Sequence, residues 1–308
     1  MSTRLNITKT HKLFIKGAFP RSESGRSIAV TDASGHVVAH VPQGSRKDLR
    51  DAVVAARGAL DGWSARSAYN RGQILYRMAE MLEGKGGEFA EAIEAMAAVK
   101  PRTTKKKTTK KAGARAVPKP LSPDAEVDAA VDRLVAYAGW ADKFSQVLGC
   151  HNMVNGPYYN FTVAEATGVT AVVAPDGPAL LGLVSLIAPV ICSGGTVVAL
   201  ASEREPITAC IFGEVCATSD VPAGVVNILT GHREELVPQV AGHRDIDAIH
   251  AANLPKDQGQ QLRDGGPDSI KRVRVREVAD WTDVQECESP WWIEPFVEMK
   301  TIWHPAAS

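Results

Sequence analysis

Apolar positions in the first hundred residues fall into short strand-like runs followed by helical spacing. Lys12-Leu-Phe-Ile-Lys, Ser27-Ile-Ala-Val-Thr and His36-Val-Val-Ala-His-Val read as strands, punctuated by Ser-Gly pairs. Ser45 then opens a helix, with Asp48 placed for a capping box and Val53, Ala56 and Leu60 sharing one face. A second amphipathic helix spans about Asn70 to Ala98, carrying Ile74, Leu75, Met78, Met81 and Leu82. Gly84, Gly86 and Gly87 predict a break near its middle. Helical spacing resumes at Ser122-Pro-Asp-Ala-Glu and continues through Val127, Val131, Leu134, Val135 and Tyr137.

The second half has a different rhythm. Tyr158–Glu165 alternates like an antiparallel strand. Beyond it, apolar runs at 169–174, 196–200 and 225–229, and a weaker one at 246–249, alternate with helical segments at 179–192, 207–219 and 234–241. Buried parallel strands joined by crossover helices have this signature, so this half reads as Rossmann-like. Leu254–Ser269 is rich in Gly, Gln and Asp and reads as part of a connection over 254–280, and the tail ends in another strand, Phe296–Trp303. The expected organisation is 1–99 for the N-terminal strands and helices, 100–123 for an insertion, 124–253 for a dinucleotide-binding-like domain, 254–280 for the connection and 281–308 for the terminal strand. No internal repeat is visible.

Composition adds detail without changing the class. The chain has 308 residues, 44% hydrophobic and 23% charged, ordinary globular values that exclude a disordered or fibrous protein. The longest apolar stretch, around Leu180–Cys192, is too short for a membrane helix, and the N-terminus lacks the basic-then-apolar pattern of a secretory signal. The expected location is the cytoplasm. Thirty-five basic residues balance thirty-five acidic ones, yet nine of the basic residues lie between Val99 and Leu121 with no acid among them. The remaining 26 against 35 leave an acidic body of about −9. The 100–123 segment, rich in Lys, Thr, Ala and Pro, reads as a disordered solvated insertion. A sharper reading makes Lys105, Lys106, Lys107, Lys110 and Lys111 a nonspecific polyanion contact. Five cysteines, an odd number without a CxxC pair, suit a reducing compartment.

Several stretches resemble one family. Tyr137-Ala-Gly-Trp-Ala-Asp-Lys, Glu165-Ala-Thr-Gly-Val-Thr-Ala-Val-Val-Ala-Pro, Ile187-Ala-Pro-Val-Ile-Cys-Ser-Gly-Gly-Thr-Val-Val and Val221-Pro-Ala-Gly-Val-Val-Asn-Ile-Leu-Thr-Gly are similar, in order and spacing, to the aldehyde dehydrogenase superfamily over roughly Leu13–Ile249. The resemblance implies an α/β fold: a Rossmann-like parallel sheet of aldehyde dehydrogenase type with a small antiparallel oligomerisation sheet. Val297-Glu-Met-Lys-Thr-Ile resembles the strand that joins that sheet.

The departures are chemical. Where the family continues Ala-Pro with Trp-Asn-Phe-Pro, this chain has Asp176-Gly177-Pro178-Ala179, so Gly177 stands where an Asn donates to the oxyanion. Losing one such donor costs on the order of 100-fold or more in rate. The ribose-binding Lys-Pro-Ser-Glu reads Leu200-Ala201-Ser202-Glu203, and the Phe-Thr-Gly-Ser turn reads His250-Ala251-Ala252-Asn253, without its glycine. The Glu-Leu-Gly-Gly motif with its general base and the nucleophilic cysteine segment are not found. Only about forty residues separate Asn253 from the terminal strand, against the well over a hundred that the family's catalytic domain needs. The resemblance thus implies a truncated member that lacks most of the catalytic domain and keeps the oligomerisation strand.

No catalytic or metal residue is assigned. The resemblance leaves Pro175, Ser202 and Glu203 to line a cleft for NAD or NADP. Cys287, in Val284-Gln-Glu-Cys, reads as a structural thiol, Cys192, Cys210 and Cys216 as core residues, and His36 and His40 as strand residues that do not converge on a metal. Trp281, Trp291, Trp292 and Trp303 mark either a subunit contact or a tail packed on its own domain. Three functions follow: a non-catalytic structural or regulatory subunit joined to a full-length aldehyde dehydrogenase or to itself, an NAD(P)-dependent oxidoreductase acting on aldehydes, or an NAD-binding sensor without chemistry. The first is the principal expectation.

Overall fold

A computed structural model describes residues 7–97 and 120–306. The basic segment around Lys105–Lys111 lies outside the described residues. Strands β1 (Lys9–Thr10), β2 (Ser27–Thr31) and β3 (Val37–Pro42) form a small sheet in the order β1-β3-β2, with β2 antiparallel to β3. Four helices follow, α1 (Arg46–Ser64), α2 (Ala68–Gly84), α3 (Gly86–Ala97) and α4 (Pro123–Trp140), then the short α5 (Phe144–Leu148). The capping box at Ser45 and Asp48 is formed, and the glycine-rich stretch breaks α2 from α3 at Lys85.

Strands β4 (Cys150–Asn152) and β5 (Tyr158–Ala166) precede the alternating half: β6 (Val169–Val173), α6 (Ala179–Ser193), β7 (Thr196–Leu200), α7 (Pro206–Thr218), β8 (Val226–Leu229), α8 (Arg233–Gly242), β9 (Ala248–Ala252), α9 (Lys256–Asp264) and β10 (Arg272–Arg276). These five strands make a parallel sheet in the order β10-β9-β6-β7-β8. The chain steps from β6 outward to β8 and then returns past β6 to place β9, so the strand order reverses between β6 and β9. Strands β6 to β9 are buried throughout, because helices cover both faces. Ala171 and Val173 face Leu49, Val53 and Ala56 of α1 and Leu236 and Val240 of α8, whereas Val172 points into the opposite cluster with Leu183, Ile187 and Leu134. That alternation is the two-residue period of a strand.

Beyond β10 come α10 (Val284–Cys287) and two short 3-10 turns, and β11 (Val297–Pro305) then pairs antiparallel with β5 over nine registered positions. With β4 on the other side of β5, this makes the small antiparallel sheet, order β11-β5-β4.

Three local expectations need correction. Lys12–Lys16 is not a sheet strand: Phe14 and Ile15 make isolated bridges, to Ile228 and Ala18, and Lys16 and Gly17 turn the chain back at positive φ. The strand expected at 246–249 begins at Ala248, since the Ile246 N–H is spent on the His243 carbonyl. Residues 254–280, read as a connection, instead contain α9 and β10, which adds the fifth strand. Its Arg-Val-Arg-Val-Arg alternation is that of a half-buried edge strand.

Candidate functional site at the carboxyl edge of the parallel sheet

In open parallel α/β sheets, ligands bind outside the carboxyl ends of the strands, where the strand order reverses. Here that edge is built from four turns: Ala174–Pro178 after β6, Ala201–Glu205 after β7, Thr230–Arg233 after β8, and Asn253 after β9. Pro175 and the first turn of α6 are pressed together. A Cβ added at Gly182 would lie 2.3 Å from Pro175 Cγ, so only glycine admits this approach. A cis peptide joins Gly177 to Pro178.

Asp176 is the centre of the edge. Its Oδ1 accepts from the Ser202 hydroxyl at 3.0 Å, from the Glu203 N–H at 3.1 Å and from the Arg204 N–H at 3.4 Å. Its Oδ2 faces Arg233 Nη1 at 2.8 Å. The Arg233 side chain is only 3% exposed, and it also donates through Nη2 to the Ala174 carbonyl, while its Nε has no partner. Burial alone would push the Asp176 carboxyl up; the Arg233 guanidinium and these hydrogen bonds hold it below the usual carboxylate range.

Neighbouring carboxylates cap other donors. Glu203 pairs with His232 Nδ1 at 2.8 Å and accepts the Arg233 N–H at 3.4 Å. Glu126, buried on α4, accepts the N–H groups of Leu180 and Leu181 at 2.8 and 3.2 Å, satisfying the first turn of α6. Glu205 is buried, and desolvation reinforced by Glu126 pushes its carboxyl up to about 7. Leu200 is buried and offers no hydrogen bond through its side chain. The Asn253 side chain is spent on both backbone groups of Val278, at 2.8 and 3.0 Å.

The structure therefore brings Pro175, Ser202 and Glu203 to one edge, but each is engaged by a partner in the chain. Apart from Arg233 Nε, the donors around Asp176 are already occupied, an arrangement that does not fit a dinucleotide phosphate. Arg233 was missed in the sequence because a single arginine at the start of an ordinary helix carries no local signal.

The other candidates lie elsewhere. Cys287 is buried 3.7 Å from the Asp280 carbonyl, and burial pushes its thiol up to about 11. Cys192 and Cys210 are buried and pushed up to about 12, and Cys216 is higher still. His36 caps the Asp32–Ser34 turn, with Nδ1 2.6 Å from Ser34 Oγ. Among the described residues no group of three His, Cys, Asp or Glu is arranged to hold a metal, and no helix is long and apolar enough to cross a membrane. The tryptophans divide: Trp281 and Trp292 are buried edge to face, whereas Trp291 and Trp303 are exposed. On the small sheet Tyr158, Tyr159, Met299, Ile302 and Trp303 are all exposed.

The family model described as "Aldehyde dehydrogenase family" matches residues 19–252. The chain belongs to the aldehyde dehydrogenase family. This family member is 31% identical over 241 residues to aldehyde dehydrogenase family 2 member B4 of Arabidopsis thaliana, covering 77% of this chain and 41% of the relative. It is 31% identical over 280 residues to retinal dehydrogenase 2 of Gallus gallus, covering 89% and 50%. Among solved structures, an NAD+ complex of aldehyde dehydrogenase from Bacillus cereus superposes with a TM-score of 0.76 at 23% identity, covering 87% of this chain and 51% of that one. A mutant of aldehyde dehydrogenase C from Pseudomonas syringae, complexed with NAD+ and octanal, gives 0.71 at 29% identity, covering 87% and 50%. The chain spans about half the length of the curated relatives it matches. The Rossmann-like parallel sheet and the small antiparallel sheet are those of its structural neighbours.

Proposed function

We propose that this aldehyde dehydrogenase family member is a non-catalytic structural or regulatory subunit, assembling through its small antiparallel sheet with a full-length relative or with a second copy of itself. One observation carries the reading. Strand β11 begins twenty-one positions after the last strand of the parallel sheet, at Val297 after Arg276, and still pairs with β5 over nine positions. The assembly element is kept although the intervening stretch is too short for the family's catalytic domain.

The chemistry of the remaining residues supports the same reading. Gly177 supplies no side-chain donor to an oxyanion, and the Cys287 thiol is buried and protonated at neutral pH. The exposed residues on the two faces of the sheet, Tyr158 with Trp303 on one and Tyr159 with Ile302 on the other, are the aromatic and aliphatic kinds that interface cores favour. In this reading the protein works in the cytoplasm, and Lys105, Lys106, Lys107, Lys110 and Lys111 add at most a nonspecific polyanion contact.

The test is the native mass of the tagged protein purified from its own cells, with co-purifying chains identified, before and after removal of Val297–Trp303. Loss of assembly with an unchanged far-UV circular dichroism spectrum is expected. An unchanged native mass after that deletion overturns the reading.

A further inference from the structure

We propose that Asp176 is a built-in anion: its carboxylate fills the phosphate cradle at the carboxyl edge of the parallel sheet, so that this chain does not bind NAD or NADP there. The inference is independent of the assembly reading, because it concerns the opposite feature of the fold.

The cradle has the composition of an anion site. A hydroxyl (Ser202) and two consecutive backbone N–H groups (Glu203 and Arg204) meet one carboxylate oxygen of Asp176 at 3.0, 3.1 and 3.4 Å, and a buried guanidinium (Arg233) meets the other at 2.8 Å. Consecutive N–H groups ahead of a helix, joined by an arginine, are donors that suit a phosphate. Here they meet an anion that the chain itself supplies. Arg233 is held for this purpose: its side chain is 3% exposed, it leans on the Ala174 carbonyl, and its remaining Nε finds no partner. A buried guanidinium needs a counter-charge, and Asp176 is the one it has.

Charge and shape reinforce the exclusion. A pyrophosphate brought to this edge would meet Asp176, Glu203 and Glu126, while the Arg233 charge is already neutralised. To enter, it would have to displace a carboxylate tethered one residue beyond Pro175, which is locked against Gly182. Displacement would also strand Asp176 among carboxylates in a half-buried place. The two other positions at this edge add nothing for a dinucleotide to hold: Leu200 carries no polar atom, and Asn253 has both side-chain hydrogen bonds committed to Val278. The same contacts give the edge a structural purpose, since Asp176 ties the turn after β6 to the turns after β7 and β8 without any ligand.

The experiment is equilibrium binding to the full chain, with NADH and NADPH followed by fluorescence and inorganic pyrophosphate followed by calorimetry. The wild-type protein is expected to show no saturable binding of any of the three in the micromolar to millimolar range. Asp176→Ala frees the cradle and is expected to bind pyrophosphate at least about tenfold more tightly than wild type, the scale of one to two charged hydrogen bonds. Asp176→Asn keeps the side-chain volume and removes only the charge, so it is the variant to read where Asp176→Ala does not fold; it is expected to gain pyrophosphate affinity in the same direction. Saturable micromolar binding of NADH or NADPH to the wild-type chain overturns the proposal. So does a folded Asp176 variant whose pyrophosphate affinity equals that of wild type. Neither result touches the assembly reading, which is decided by native mass.

Discussion

Arg133 and Trp281, 148 positions apart, are joined by a buried hydrogen bond of 2.7 Å from the guanidinium to the backbone carbonyl. Arg133 is the first of three residues on one face of α4 that hold the segment leading to β11. The Tyr137 hydroxyl donates to the Cys287 carbonyl at 2.9 Å, and the Trp140 indole donates to the Glu288 carbonyl at 2.6 Å. Spacings of four and three place the three donors in a stripe. Arg133 also contacts Ser185 and Glu288, so one buried cation links α4, α6 and the descending segment. Trp292 and Trp281 pack beneath this stripe, with Arg276 stacked 4.1 Å over Trp292.

Removing that cation should therefore loosen the whole descending segment. Arg133→Met leaves two carbonyl or carboxylate acceptors unpaired and is expected to cost about 3 kcal/mol. Tyr137→Phe removes one neutral hydrogen bond and should cost about 1 kcal/mol. Thermal melts followed by circular dichroism should rank Arg133→Met well below Tyr137→Phe, with wild type highest. Equal melting temperatures for all three would show that the stripe does not hold the segment.

Glu205 predicts a pH dependence. Its carboxyl is raised to about 7 in the folded chain from the ordinary glutamate value of 4.5, by burial first and then by Glu126, with Arg204 acting in the opposite direction. The folded state thus holds the proton more tightly than the unfolded state does. Stability is greatest below about pH 4.5 as far as this group is concerned, and its contribution is lost as pH rises to about 7, by roughly 3 kcal/mol. Glu205→Gln should flatten the stability profile between pH 5 and 7 and raise the melting temperature at pH 8. Asp176 acts in the reverse sense: its lowered value contributes stability above the ordinary aspartate range that acidification removes.

Thiol reactivity should single out one cysteine. Of the five, Cys150 is exposed and the other four are buried. Titration of the native protein with an aromatic disulfide reagent is expected to modify one thiol quickly and four only on unfolding. Cys150→Ser should abolish the fast phase. A fast phase surviving in that variant would place a second thiol at the surface.

A point substitution can probe the sheet without removing it. Ile302 is 41% exposed, opposite Phe161 across the β5–β11 pair. Ile302→Glu leaves the fold's own core untouched but would bury an unpaired charge in any interface formed there. Analytical ultracentrifugation should show assembly weakened by at least about tenfold, with the melting temperature of the dissociated chain unchanged. Assembly of unaltered strength would move the interface off this face.

The sequence alone determined the elements whose cause is local. Apolar runs of five marked β6 and β7 because strands covered on both faces have no solvent side to encode. Ser45 with Asp48 announced the start of α1, and three glycines announced the break at Lys85, because caps and breaks depend on neighbours within one turn. The family motifs were legible for the same reason: they are short and contiguous. β10 escaped notice because an edge strand with three arginines looks polar until a neighbour is known to cover one side of it. The candidate site was half legible. Ser202 and Glu203 could be located, but their partners could not. Tertiary structure alone decided that Asp176 meets Arg233 across 57 positions and that α4 holds residues beyond 280. Such pairs are set by how helices and strands pack, and contacts between distant residues leave no period in the chain.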